Sequence, residues 1–310
     1  MKFKVIAAFA VAGMALGAVP ASAAADGFYV DPGSNPAAWV KANGGDSRAA
    51  RIKSAIADKP IAKWFGNWNS DISADVSAYV GAAAAANKLP MLVAYNITGR
   101  DCGSHSGGGA GSPEAYRTWS SRFASAIGSR QAIVVVEPDA VAQLDCLDAT
   151  QKQVRLGLLN HITAELKAKA PNAMTYLDGG NSSWIAAGEM ANRLTKAGIG
   201  NTRGFAVNVS NYRTTAESVS YGNAVNSTLA GLGHRKTFVV DVSRNGNGSN
   251  GEWCNPAGRK LGEAPRMGGG AEMLLWVKVP GDSDGKCGIA PNTPAGQFTP
   301  EIAMRLVNGS

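Results

Sequence analysis

The run Ile133-Val134-Val135-Val136 leads directly into Glu137-Pro138-Asp139. Four consecutive β-branched residues suit a strand buried on both faces, and Pro138, with no N–H to donate, ends the pairing there. Asp139 is then aimed out of the carboxyl end of a sheet, where parallel α/β proteins place ligands and chemistry. A carboxyl held against an apolar wall has its charged form disfavoured, so its pKa moves toward the range a general acid needs. Taken alone, such an acid reads equally well as the cap of a following turn. Other apolar runs, however, finish the same way. Met91 to Tyr95 leads to Asp101, Met174 to Leu177 meets Asp178, Thr237 to Val240 meets Asp241, and Glu272 to Val279 precedes Asp282 and Asp284. If the strands are parallel, these acids share one rim. Stability alone does not call for that, because gathered like charges repel and raise one another's pKa. Inverting glycoside hydrolysis does call for it: one protonated carboxyl gives a proton to the leaving oxygen and one ionised carboxylate activates water.

Aromatic residues and cysteines crowd the same places. Trp64, Trp68, Trp184, Trp253, Trp276 and Tyr95 fall at or just past strand ends, and flat rings stack on the apolar faces of pyranose units. Core filling is the default for a single Trp, so Trp276 and Trp68 are assigned to the core or left open. Trp253, in a Gly/Asn-rich stretch, is harder to explain that way. Cys102, Cys146, Cys254 and Cys287 suit two disulfides in an exported protein, and their spacings do not resemble a zinc site. Of the three possible connectivities the sequential one is the most economical. It closes loops of roughly 45 and 34 residues, each stabilising by about 4 kcal/mol in the chain-entropy view.

The elements that must position these groups are strands alternating with helices. Gly27 to Val30, Ala62 to Phe65, Met91 to Tyr95, Ile133 to Val136, Met174 to Leu177, Phe205 to Val209, Thr237 to Val242 and Glu272 to Val279 read as strands. That alternation predicts an α/β fold with a largely parallel sheet, and at this length a closed or nearly closed barrel. Between them, Thr150 to Ala170 reads as a helix with Val154, Leu158, Ile162 and Leu166 on its buried stripe and Thr150 as cap. The Gly-rich tract from 103 to 111 and the segment from Ser243 to Asn250 read as mobile loops, and neither has the spacing of a phosphate-binding loop.

Lys2 and Lys4, the apolar stretch Val5 to Val19 and Ala21-Ser22-Ala23 have the three parts of a secretory signal peptide. Residues 1–23 are expected to be removed, with cleavage after Ala25 as the second choice, which leaves 26–310 as one catalytic domain. Losing two of 30 basic residues and no acid takes the formal charge from +7 to 28 − 23 = +5. Without a Lys/Arg cluster, that balance is weak evidence for nucleic acid or membrane binding. His105, His161 and His234 are isolated, so no metal is expected. No Pro/Ser/Thr linker or second compositional zone marks an appended module.

At these residues the chain resembles glycoside hydrolase family 6, secreted cellulases that invert anomeric configuration. The resemblance is carried by Tyr95-Asn96-Ile97-Thr98-Gly99-Arg100-Asp101-Cys102-Gly103 and by Val135-Val136-Glu137-Pro138-Asp139-Ala140. It continues in Tyr176-Leu177-Asp178, Val209-Ser210-Asn211-Tyr212, Ser243-Arg244-Asn245-Gly246-Asn247-Gly248, Trp253-Cys254-Asn255-Pro256, Trp276-Val277-Lys278 and Gly281-Asp282-Ser283-Asp284-Gly285. It implies a distorted, partly open parallel β/α barrel of about seven strands in a single domain. It further implies Asp139 as general acid, Asp101 as the group that keeps it protonated and relays a proton from water, and Asp284 as candidate base or sugar-contacting acid. Tyr95 would press the sugar toward a distorted ring. Asp178, Asn211, Lys278 and Asp282 would bind hydroxyls, and Trp64, Trp184 and Trp253 would stack on sugar faces. Glu137 becomes a supporting contact. The implied disulfides are Cys102 to Cys146 and Cys254 to Cys287.

One departure is Asn181, where the family commonly has a substrate-binding histidine; an amide still hydrogen-bonds a hydroxyl but carries no charge. So short a domain leaves little room for loops that roof a tunnel, which favours an open cleft. The expectation is therefore a secreted, monomeric endo-β-1,4-glucanase without a cofactor, acting on β-1,4-glucan and on neither nucleic acid nor membranes. The rivals are a cellobiohydrolase of the same family and a non-catalytic glucan-binding protein.

Overall fold

A computed structural model describes residues 1, 25–102 and 106–310. The expected leader lies, but for its first residue, outside the described residues. The chain begins with α1 (Asn35–Ala42), α2 (Ala49–Ile52) and a single π turn (Lys53–Ala57), then β1 (Lys63–Phe65), α3 (Ile72–Ala85), β2 (Met91–Ala94) and α4 (Pro113–Ile127). It continues through β3 (Ala132–Val136), a 3-10 turn (Ala142–Cys146), α5 (Ala149–Lys169), β4 (Ala173–Asp178), α6 (Ala187–Lys196) and β5 (Gly204–Val207). It ends with α7 (Thr215–Gly231), β6 (Thr237–Asp241), β7 (Arg266–Met267), β8 (Met273–Leu275) and α8 (Pro300–Asn308). Local chemistry starts the helices. Asp71, Ser112 and Thr299 accept from first-turn N–H groups of α3, α4 and α8, while Asp148 with Gln151 and Thr214 with Glu217 form capping boxes on α5 and α7.

The strands make one sheet in the order β1-β2-β3-β4-β5-β6-β8-β7, parallel throughout except for the antiparallel pair β7–β8. Strand side chains alternate between two faces. Leu92, Val134, Leu177, Phe205 and Val240 pack outward into the helical layer, whereas Met91, Val93, Ile133, Val135, Tyr176 and Val239 fill the inside of the curl. Both faces are covered, which is why these runs are apolar at every position rather than at every second one. The curl brings its two sides together at Ala62 N–H, which donates to the Trp276 carbonyl at 2.9 Å. The result is a half-barrel whose parallel strands all direct their carboxyl ends to one rim. Among the described residues, no helix is long and apolar enough to cross a membrane.

Several expectations need correction. Gly27 to Val30 contributes only the isolated bridge Phe28–Leu89, and Glu272 to Val279 is a strand only at Met273–Leu275. Helix α5 is capped by Asp148, not Thr150. Val154 is 41% exposed, although Leu158, Ile162 and Leu166 are buried. A stripe stepping every four residues drifts by about 40° per step around a helix of 3.6 residues per turn, so its end leaves the buried face. Ser243 to Asn250 begins not as a mobile loop but with Ser243, Arg244 and Asn245 buried. Trp276 is core, its Nε1 donating to Glu263 O at 2.8 Å, but Trp68 is 53% exposed.

Candidate active site

Glu137 organises the rim from beneath. It is buried, and its carboxylate accepts from Asn96 N (3.0 Å to each oxygen), Ile97 N (3.0 Å) and the Tyr116 hydroxyl (3.0 Å). Buried Arg155, from α5, donates to Gly99 O at 2.8 Å and Thr98 O at 3.3 Å. These two side chains hold the backbone of the segment that runs from Tyr95 to Asp101. Arg100 secures its far side, donating to Tyr95 O, Asn67 Oδ1 and Ser106 O, each at 3.0 Å. Ser106 then joins the functional groups: its hydroxyl lies 2.9 Å from the Tyr95 hydroxyl, and its N–H and hydroxyl donate to Asp101 Oδ2 at 2.5 and 2.9 Å. The Cys102–Cys146 disulfide ties this segment to the 3-10 turn that follows Asp139.

Glu137 and Asp139 both adopt left-handed backbone angles, φ 51° and 70°, as does Asp101 at 59°. A non-glycine residue gives up roughly 1–2 kcal/mol in that region, so the loops after β2 and β3 both hold strained residues at this rim. Asp139 N–H and Gly180 N–H both donate to Asp178 Oδ2, at 3.0 and 3.1 Å, which aligns the ends of β3 and β4. Burial, followed by the charges of Asp101 and Asp284, raises the Asp139 pKa to about 7 against the pull of Lys278. Burial also raises Glu137 to about 7. Geometry separates the two: Glu137 is occupied by protein donors, whereas among the described residues no hydrogen bond ties the Asp139 carboxyl.

Asp284 is the electrostatic opposite. Burial pushes its pKa up, but Arg244 and Lys278 outweigh burial and bring it down to about 2. Its Oδ2 accepts from Arg244 Nη1 (2.9 Å), the Tyr212 hydroxyl (3.1 Å) and Asn255 N (3.1 Å), and Oδ1 faces Lys278 Nζ at 3.1 Å. The Cys254–Cys287 disulfide brackets this arrangement. Nearby Asp282 is raised to about 7 by burial; Oδ2 accepts from Asn35 Nδ2 at 2.8 Å, and Oδ1 has no hydrogen-bond partner. Asp241, expected on the rim, is buried instead as a backbone clamp. Its oxygens accept from Ser243 N, Val277 N, Ser210 N and Lys278 N at 2.9–3.1 Å, joining the ends of β5, β6 and β8.

The remaining candidates occupy the same end of the sheet. Trp64 meets the Tyr95 ring edge-on at 5.1 Å and anchors its Nε1 on Val277 O at 2.8 Å. Trp184 is 41% exposed and Trp253 50%. Asn211 Nδ2 donates to Val209 O at 3.0 Å, and buried Asn181 accepts from Ser183 N at 3.0 Å in a turn of its own. Two further functional residues emerge only from the fold: Arg244, which with Lys278 holds Asp284 ionised, and Tyr212, which donates to the same carboxylate oxygen. Arg244 follows a strand inside a Gly/Asn-rich stretch, and only the fold reveals which acid it meets. Among the described residues, no group of three or more His, Cys, Asp or Glu side chains is arranged to hold a metal ion. The rim thus sets a carboxyl group whose pKa is raised to about 7, an anion fixed by two cations and exposed flat rings at one end of the sheet.

The sequence model for glycosyl hydrolases family 6 matches residues 23–310. A curated protein named "Endoglucanase 1" from Streptomyces halstedii is 50% identical, the match covering 98% of this chain and 97% of that one. "Exoglucanase 3" from Agaricus bisporus is 26% identical over 83% of this chain and 67% of its own. The solved endoglucanase Cel6 from Mycobacterium tuberculosis, in complex with methyl-cellobiosyl-4-deoxy-4-thio-β-D-cellobioside, superposes with a TM-score of 0.84. It is 38% identical, with 91% of this chain and 96% of that one covered.

Proposed function

The chain belongs to glycosyl hydrolases family 6, and we propose from that premise that it is a secreted, monomeric, inverting endo-β-1,4-glucanase whose catalytic domain spans residues 26–310. The observation that carries this reading is the opposite charge state of two carboxyl groups at one rim: Asp139 stays protonated up to about 7, while Asp284 is held ionised down to about 2. In this mechanism protonated Asp139 donates to the glycosidic oxygen as the C1–O bond breaks. A water molecule bonds to C1 from the opposite face. The positive charge that develops on the ring is stabilised by ionised Asp284.

Asp284 is a poor base for that water, because basicity falls with pKa and its four donors stabilise the anion. The water's proton therefore passes toward Asp101, whose Ser106 contacts link it to the Tyr95 hydroxyl. As Asp101 becomes protonated and Asp139 ionised, the two carboxyl groups exchange states, and return of the proton resets them. Tyr95 shapes the sugar at the cleavage point. Asp178, Asn211, Lys278 and Asp282 orient hydroxyls. Trp64, Trp184 and Trp253 stack on sugar rings.

Endo rather than exo action is supported by 50% identity to a named endoglucanase against 26% to a named exoglucanase. The test is viscometry of carboxymethylcellulose alongside reducing-sugar release. Viscosity should collapse after few cleavages; a slow fall at equal release would indicate end-wise attack, and no release would point to a binding protein.

A further inference from the structure

Trp68 is not used by any part of the mechanism above, yet it is held in place with care. It follows β1 on an exposed stretch and is 53% exposed. From below, the indole lies directly on Gly66: a Cβ there would stand 2.4 Å from a ring atom and 2.6 Å from Tyr95 O, so only glycine permits this approach. From the side, the Arg100 guanidinium lies 5.4 Å from the centre of the Trp68 ring and 4.5 Å from that of Tyr95. Arg100 also donates to Asn67 Oδ1 at 3.0 Å, fixing the residue just before Trp68. A large ring fixed in place but left half in water contributes little to the fold, since the hydrophobic gain comes only from area removed from solvent.

We propose that Trp68 is an additional sugar platform, stacking on a glucosyl unit of the β-1,4-glucan chain at the β1–β2 edge of the cleft. The occupant follows from continuity, because Arg100 connects this ring to Tyr95 at the cleavage point. A pyranose also matches its chemistry: an apolar face for the indole and hydroxyls for the exposed Asn67 amide beside it. The proposal rests on the glucanase reading and extends its substrate contact by a subsite.

The test compares wild type, Trp68→Ala and Trp68→Tyr on cellotetraose and cellohexaose. A platform away from the bond being cut favours the longer substrate, so the ratio of kcat/KM for cellohexaose to that for cellotetraose should fall by about tenfold in W68A, one stacking contact's worth, and be largely restored in W68Y. Equal loss on both lengths would make Trp68 a mere support for Arg100, and no loss would make it idle; either result overturns the proposal. Should the wild type cleave neither oligosaccharide, the glucanase reading fails separately. Calorimetric titration of cellohexaose into wild type and W68A then still decides the platform, with about tenfold weaker binding expected and equal binding contradicting it.

Discussion

Asp139 and Asp284 show how one residue type can take opposite roles through its surroundings. Replacing Asp139 by Asn removes the proposed proton donor while keeping shape, and kcat on unactivated glucan should fall by about 10²–10⁴, the usual contribution of general acid catalysis. Substrate binding measured by calorimetry should stay close to wild type. In the wild type, activity should fall as pH rises through about 7, where Asp139 loses its proton. Replacing Arg244 by Met would strand Asp284 in the interior with one cation fewer; breaking such a buried pair costs about 3–5 kcal/mol and should appear as a lower urea midpoint. The position of Asp139 was legible because a β-branched run ends on it. Pattern could not rank it against Glu137, since the difference lies in which oxygens the protein itself occupies. Arg244 was illegible for a related reason: its partner is 40 residues away, and no local rule connects them.

The strands owe their legibility to burial on both faces, which leaves continuous apolar runs, and the register of β2, β3 and β4 confirms those runs as neighbours. Where a run serves the site, its pattern misleads. Trp276, Val277 and Val279 are apolar and buried but lie beyond β8, because the N–H groups of Val277 and Lys278 bond the Asp241 carboxylate instead of a neighbouring strand. Asp241→Asn tests that clamp. An amide presents its NH2 to backbone donors that need an acceptor, so about 2–4 kcal/mol of stability should be lost in urea denaturation. Activity should fall as well, because the same clamp places Lys278 and Ser243, next to Arg244, around Asp284. A drop in stability with unchanged kcat would separate the clamp from the site.

Over the whole molecule, the half-barrel gathers buried acids whose pKa values are displaced in both directions, and stability should follow. Asp139, Glu137 and Asp282 are raised to about 7 by burial, so the folded state holds more protons than the unfolded chain between roughly pH 4 and 7, and stability falls as pH rises through that window. Asp284, lowered to about 2, acts oppositely: its contribution is complete above about pH 4 and is lost on acidification toward 2. Calorimetric Tm should therefore be highest near pH 4–5 and decline toward neutrality. A protonated acid and a water attacking from the opposite face require single displacement, which inverts the anomeric carbon. Proton NMR of a soluble cello-oligosaccharide during the first turnovers reads this directly. The α-anomer of the new reducing end should appear first and mutarotate afterwards; initial release of the β-anomer would contradict the mechanism built on Asp139.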